Sequence, residues 1–197
     1  NAQAALAAGD YVQANATFEA LETPFAREPE VQEPAFRLIV LPLHGYAALL
    51  AGESETAIAR FNIYLEEFPD DRSRKPFVLF NLARAHQEVG DAAQAIEAYR
   101  DFVAIDPDRP EAALATLAAA DLMVESSQPD EGFETLTSLI ERNPPVIIAN
   151  KARLTALQQA LDLGRAEAAA DMLLGQHWVI ADMPELAVLA FAALETG

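Results

Sequence analysis

The sequence predicts an all-α chain, a solenoid of antiparallel helix pairs stacked one after another. Three observations carry this. A glycine recurs between apolar helical stretches, in LAAGDYVQA, LLAGESETA, QEVGDAAQA and LDLGRAEAA; five residues after Gly9, Gly52, Gly90 and Gly164 stands an alanine, Ala14, Ala57, Ala95 or Ala169. The marker returns at a near-constant interval. With Ser127 in the fourth turn and Gly197 last, the steps are 43, 38, 37, 37 and 33 residues, which signals a repeat array. The composition is 52% hydrophobic but only 8% aromatic, so the core leans on Ala and Leu, which suit closely packed helices better than a sheet.

The unit follows from the marker. Glycine takes the left-handed conformation that ends a helix without a side-chain penalty, and the alanine five residues on lets the returning helix approach closely. Larger apolar residues follow at helical spacing, Phe61 and Tyr64 in one unit, Tyr99 and Phe102 in the next. Proline then sets the boundary at Pro69, Pro107 and Pro144, because the residue before a proline is disfavoured in helix.

In chain order the first pair covers 1–8 and 10–22. The linker ETPFAREPEVQEP, Glu22 to Pro34, carries three prolines and bends the first unit away from the second. The second pair covers 33–51 and 53–68. Its first helix holds the most apolar run, Leu38 to Gly52. That run is shorter than the roughly 20 residues of a membrane span and is interrupted by Pro42 and His44, so it reads as a buried helix. PDDRSRKP, Pro69 to Pro76, reads as a solvated loop of mixed charge. The third pair covers 75–89 and 91–105. The fourth covers 108–125 and 128–143, with Gly132 in place of the alanine, and the fifth 146–163 and 165–177. His177-Trp178 closes the fifth pair, the tryptophan either covering the seam before a last helix at 184–196 or serving as a binding hot spot. Residues 1–197 form one repeat domain. Both ends fall at half-units, which reads as a piece of a longer array or of a larger protein.

The net charge is −18, from 31 acidic and 13 basic side chains. Such a surface repels nucleic acid phosphates and anionic lipid and attracts basic partners. Only Lys75 and Lys151 are lysines, a balance that fits a salt-adapted or GC-rich, bacterial source. There is no cysteine, so disulfides and thiolate metal sites are excluded and the compartment stays open. His44, His86 and His177 lie in different units, without HExxH, GxSxG, P-loop or dinucleotide-binding patterns. His86 stands where a packing residue is expected. Glu66-Glu67 and Asp70-Asp71 are adjacent in sequence, not convergent, and no EF-hand spacing occurs. No catalytic residue, cofactor or metal site is therefore expected.

The third unit carries Leu82, Ala83, Ala85, Gly90, Asp91, Ala95, Ile96, Tyr99, Asp106 and Pro107 in register, and the second Gly45, Gly52, Ala57, Phe61 and Pro69. These positions resemble the tetratricopeptide repeat family, a likeness that extends over nearly the whole chain. The resemblance implies a right-handed superhelix whose first (A) helices line a concave groove, and a non-catalytic scaffold that holds a peptide or protein segment there. It points to Ile39, Leu43, Tyr46 and Leu50 in the second unit. In the third it points to Phe77, Phe80, Asn81, Arg84 and Gln87. The fourth offers Leu117 and Asp121, and the fifth Lys151, Leu154 and Gln158. Ile39, Leu43 and Leu50 equally suit packing against neighbouring helices. Asn81 and Arg84, one turn apart, suit a peptide backbone or carboxylate. Relatives that clamp a partner's C-terminal carboxylate use several such polar residues. Only these two fit here, and that specialised role is not expected. The implied partner is a basic or apolar protein segment, with no nucleic acid and no membrane insertion, and the exposed ends of an array also allow self-association. An alternative is a regulatory or positioning domain of a larger enzyme or bacterial envelope complex.

The pairing itself makes a prediction. Ala95→Leu wedges the third pair apart and costs roughly 1–3 kcal/mol in thermal melting, whereas the same change at Ala92, read as exposed, costs little.

Overall fold

A computed structural model of the chain describes residues 1–22, 33–126, 128–165, 167–169 and 171. The described residues are helical, joined by short turns. The elements are α1 (Ala2–Ala7), α2 (Tyr11–Glu22), α3 (Pro34–Leu50), α4 (Ser54–Glu67), α5 (Lys75–Glu88), α6 (Ala92–Ile105), α7 (Ala112–Glu125), α8 (Pro129–Glu141) and α9 (Val146–Asp162). Consecutive helices pack on one another from α1 to α5 and from α7 to α9, and α6 meets α5 through Phe80 and Tyr99. The chain divides into two compact units, Asn1–Phe102 and Val103–Gly197. The interior of the Glu22–Pro34 linker, the turn at Ser127, His177-Trp178 and the helix expected at 184–196 lie outside the described residues.

The turn glycines have φ of +79° (Gly9), +81° (Gly52), +82° (Gly90) and +68° (Gly164). Each closes its helix with the same two bonds. At Gly90 its own N–H donates to the Gln87 carbonyl at 3.1 Å, and the Asp91 N–H reaches back to the His86 carbonyl at 2.9 Å. This is the Schellman arrangement, which satisfies carbonyls that a helix end leaves orphaned. The residue after the glycine also starts the next helix. The Asp91 carbonyl accepts the Ala95 N–H at 3.0 Å, and its carboxylate caps the Gln94 N–H at 3.2 Å. Asp10 repeats this, with the Gln13 N–H at 3.1 Å. A single Gly-Asp pair thus ends one helix and caps the next. That first returning bond spans four residues from the one after the glycine, which puts the alanine five after the glycine, and Ala14, Ala57, Ala95 and Ala169 are all fully buried.

Within the first unit, α2 packs on α1 and α3, α4 on α3 and α5, and α5 also touches α3. Ala2, Ala14, Phe18 and Ala47 form the core between the first two hairpins, with Leu6, Val40 and Leu43 against it. The Phe61 ring fills the space beside Gly45. A β-carbon there would sit 2.6–3.0 Å from three ring atoms, so glycine is what lets α3 and α4 meet. α3 runs unbroken through Pro42, which is buried. Proline inside a helix costs on the order of 3 kcal/mol, offset here by the burial of Leu41, Ala47, Ala48 and Leu49 around it.

In the second unit α8 packs on α7 and α9, and α7 also touches α9. Leu117, Phe133, Leu136, Leu139, Ala152, Ala156 and Leu157 form its core. Gly132 does for α7 and α8 what Gly45 does for the second hairpin: a β-carbon would lie 2.7 Å from Val124 and 3.1 Å from the Ala120 carbonyl. Beyond α9, Arg165 binds Asp130 at 2.6 Å and lies 4.8 Å over the Phe133 ring, tying the last turn to the start of α8.

Three expectations need correction. α7 begins at Ala112, not 108, because Pro107 and Pro110 hold 107–110 as a turn, with the Arg109 N–H on the Asp106 carbonyl at 3.3 Å. α8 ends at Glu141, not 143, because Asn143 takes a left-handed φ of +52° ahead of Pro144; asparagine tolerates that region. Ala92 is half-buried and its neighbour Ala93 is the exposed one, so Ala93→Leu is the proper control for Ala95→Leu.

Two glycine substitutions should fail for different reasons. Gly45→Ala overpacks against Phe61 and is expected to cost about 1–3 kcal/mol in urea unfolding; a Phe61→Leu background should shrink that cost. Gly90→Ala has open space but a left-handed backbone, and should cost about 1–2 kcal/mol in either background.

Candidate functional site

The first unit presents a partly exposed apolar face on α3 and α5. Ile39 is 45% exposed and Phe77 39%, large fractions for such side chains beside a filled core. Tyr46 joins them, its ring edge-on to Phe77 with centroids 5.3 Å apart. Ile39 and Tyr46 are seven residues apart on α3, as Phe77 and Arg84 are on α5, so each pair shares one helix face. Leu50 is half-buried, and Leu43 packs on the core of the first hairpins. Phe80 turns inward, edge-on to Tyr99 and Phe102 with centroids 5.8 and 5.3 Å away.

Arg84 is half-buried on this face. Its Nη1 donates to the Asn81 Oδ1 at 3.2 Å. Asn81 is buried, and its Nδ2 donates to the Phe77 carbonyl at 2.8 Å. Both residues are expected from the sequence to suit a peptide backbone or carboxylate; Asn81 is engaged within the helix, bonded to the Phe77 carbonyl and to Arg84. Gln87 accepts from the Tyr99 hydroxyl at 3.2 Å. Burial raises the Tyr99 phenol above its ordinary pKa, and the nearby Arg84 charge works against that rise.

The charges are segregated. α3 and α5 carry Arg37, Lys75 and Arg84 against a single acid, Glu88, whereas α2, α4 and α6 carry seven acids and two arginines. This pattern is readable in the sequence once the helices are paired, and it was missed. Arg37 is held by the Glu67 carboxylate, one contact at 2.7 Å. The Lys75 ammonium donates to the Pro69 carbonyl at 3.1 Å, and Glu88 accepts from the Ser54 hydroxyl at 2.6 Å.

In the second unit the expected residues do not form such a face. Leu117 is 3% exposed and belongs to the core, because α7 meets both α8 and α9. Leu154 packs against the same core. Asp121 pairs with Lys151 at 2.8 Å, and Gln158 donates to Asp162 at 2.9 Å. Sequence reasoning also missed a groove of about 540 Å³ lined by Pro107, Arg109, Thr116, Leu139, Arg142 and Pro144, which forms because the turn before α7 stands off the end of α8.

His44 and His86 serve packing. His44 is fully buried, stacked on Phe18 with ring centroids 5.6 Å apart, and its Nδ1 accepts from Arg60 at 3.2 Å. Burial holds the His86 pKa below its ordinary value, while Asp91, 3.8 Å away, pulls the other way. Among the described residues no group of three or more His, Asp and Glu side chains is gathered as a metal site, and no helix is long and apolar enough to cross a membrane.

The loop between α4 and α5 is more ordered than a solvated loop. The buried Tyr64 hydroxyl donates to Asp71 at 2.6 Å, and Asp71 also accepts from the Ser73 N–H at 2.9 Å and from Arg74 at 3.3 Å. The Tyr64 bond, more than the other two, holds the Asp71 carboxyl below its ordinary pKa, against the cost of burial. Burial, then that bond, raises the Tyr64 phenol far above its own. A depressed carboxyl stabilises the fold fully above the unfolded value of about 3.9 and loses this as pH falls through its lower folded value. The phenol's contribution is complete below about pH 10 and is lost as pH rises beyond. In an NMR titration, Tyr64→Phe should move the Asp71 carboxyl back towards its ordinary pKa and remove part of the acid-side loss of stability.

Residues 77–109 match the tetratricopeptide repeat profile. None of the curated proteins matches the sequence. Solved structures do. A Podosopora anserina protein described as a kinesin light chain with nearly identical TPR-like repeats aligns with 15% identity and a TM-score of 0.66, over 96% of this chain and 91% of that one. A tetratricopeptide repeat protein from Parabacteroides merdae aligns with 17% identity and a TM-score of 0.66, over 99% and 69%. A thermophilic TPR protein from Thermus thermophilus aligns with 17% identity and a TM-score of 0.51, over 98% and 100%. At these identities the likeness speaks for fold. Residues 77–109 are thus similar to a tetratricopeptide repeat, and the described residues have the helical fold of tetratricopeptide repeat proteins.

Proposed function

We propose that this chain is a non-catalytic scaffold that holds a peptide or protein segment against the α3–α5 face of its first unit. The observation that supports it is the exposure of Ile39 and Phe77 on adjoining helices, with Tyr46 edge-on to Phe77. A core residue would be covered; these are not, although the same helices bury Leu41, Ala48, Val78 and Leu82 on their other sides. Aromatic and aliphatic side chains left partly uncovered on rigid helices supply contact area at low ordering cost. The groups on and beside this face are otherwise engaged in structure: Asn81 accepts from Arg84, and His86 is packed, with burial holding its pKa below the ordinary value. Binding, not bond-making, is what such a surface can do.

A photo-crosslinking residue at Ile39 or Phe77 should form adducts with a partner in cells of the source organism, and one at exposed Glu66 on α4 should not. Ile39→Ser with Phe77→Ser should abolish the adducts and change the melting temperature little. Adducts only from Glu66, or none from either face, would reject the assignment.

A further inference from the structure

We infer that the groove between the turn before α7 and the end of α8 takes a small organic anion, an apolar body whose carboxylate or phosphate group is received by Arg109 and Arg142. The groove lies wholly in the second unit, and the inference does not rest on the α3–α5 reading.

The argument begins with charge. Two of the chain's 13 basic residues line this one groove, against one of its 31 acids, Asp108. That is the reverse of the chain's overall balance. The other described cations of the unit are engaged elsewhere: Lys151 by Asp121 at 2.8 Å, Arg165 by Asp130 at 2.6 Å and Arg153 by the Asn150 amide oxygen at 3.3 Å. Arg109 is held only loosely, its Nε 3.9 Å from a Glu111 oxygen, and among the described residues Arg142 is paired with no carboxylate. A guanidinium keeps its charge at any physiological pH and presents a planar fork of donors suited to carboxylate or phosphate.

The backbone beneath both arginines is fixed. Arg109 stands between Pro107 and Pro110, its N–H on the Asp106 carbonyl at 3.3 Å and its carbonyl accepting the Ala112 N–H at 3.0 Å. The Arg142 N–H bonds the Leu139 carbonyl at 3.2 Å. Less ordering is therefore left to be done on binding. The Thr116 hydroxyl is committed to the Ala112 carbonyl at 2.8 Å, which leaves the guanidinium groups as the side-chain donors of the groove. Leu139, Ala113 and Pro144 supply apolar lining, and a volume of about 540 Å³ suits a small molecule. Asp108 opposes an anion and so fixes the sign of one variant's effect.

The test titrates the whole, isotope-labelled chain by NMR, reading the amides of Arg109, Ala113, Thr116 and Arg142. The probes are naphthoate, naphthyl phosphate, naphthylmethanol, naphthylmethylammonium and inorganic phosphate. Both naphthyl anions should bind about fivefold more tightly than the alcohol, the gain of two exposed charge pairs. The ammonium should bind most weakly, and inorganic phosphate more weakly than naphthyl phosphate. Whichever naphthyl anion binds more tightly tells a carboxylate ligand from a phosphate one. Arg109→Gln with Arg142→Gln should remove the anion preference and leave the alcohol's affinity and the melting temperature as they were. If that variant does not fold, Arg109→Lys with Arg142→Lys, which keeps the charges and loses the forks, should narrow the preference. Asp108→Asn should tighten the anions alone. Equal binding of alcohol and anions, a preference that survives loss of both arginines, or tighter binding of the ammonium would overturn the inference. So would weaker anion binding at Asp108→Asn, inorganic phosphate that matches naphthyl phosphate, or saturable shifts that are absent here or appear only around Ile39 and Phe77.

Discussion

The structure depends on a junction two residues long. A glycine in the left-handed region closes one helix, and the next residue both bonds back to that helix and opens the following one. Nothing longer is needed because the two backbone bonds and the cap satisfy the polar groups that a turn would otherwise expose. The cost is borne by side-chain size. Helices joined this tightly approach closely, so the first returning position must be alanine, and at the crossings beside Phe61 and Val124 even alanine is too large. Small residues at the seams and large ones one turn further along then follow as a packing requirement.

This explains what could be read directly from the residues. Gly9, Gly52, Gly90 and Gly164 with their alanines are local rules, enforced within six residues, and among the described residues the helix limits around them agree with the structure to within a few residues. What escaped was decided at a distance or by competing local chemistry. Asn143 ends α8 because asparagine can stand in for glycine, which a search for glycine does not see. Leu117 looked like a surface position from its spacing on α7, yet α7 is covered on two sides. Asn81 and Arg84 satisfy each other, and Tyr64 captures Asp71 across seven residues; both are pairings that spacing permits without requiring. That Ile39 and Tyr46 share one face of α3, and Phe77 and Arg84 one face of α5, was legible, since helical spacing alone fixes which positions lie together.

The same division of labour shapes the binding face. The second helix of each hairpin in the first unit carries the acids, while α3 and α5 carry the apolar and cationic side chains. Placing the acids on one set of helices leaves the other largely apolar. The protein's overall acidity and the character of the α3–α5 face are thus separate properties, and the first is a poor guide to the second.

The contacts that close each turn span only six residues, and helices pack chiefly on those next to them in the chain. Low contact order of this kind favours rapid folding, and it also means that no single nucleus locks the array. A hairpin at a margin can open while its neighbours stay shut, with opening free energies graded along the chain. The protein would then yield to force or to a protease one hairpin at a time, and a bound segment that bridges α3 and α5 would act as a staple across the seam between two hairpins.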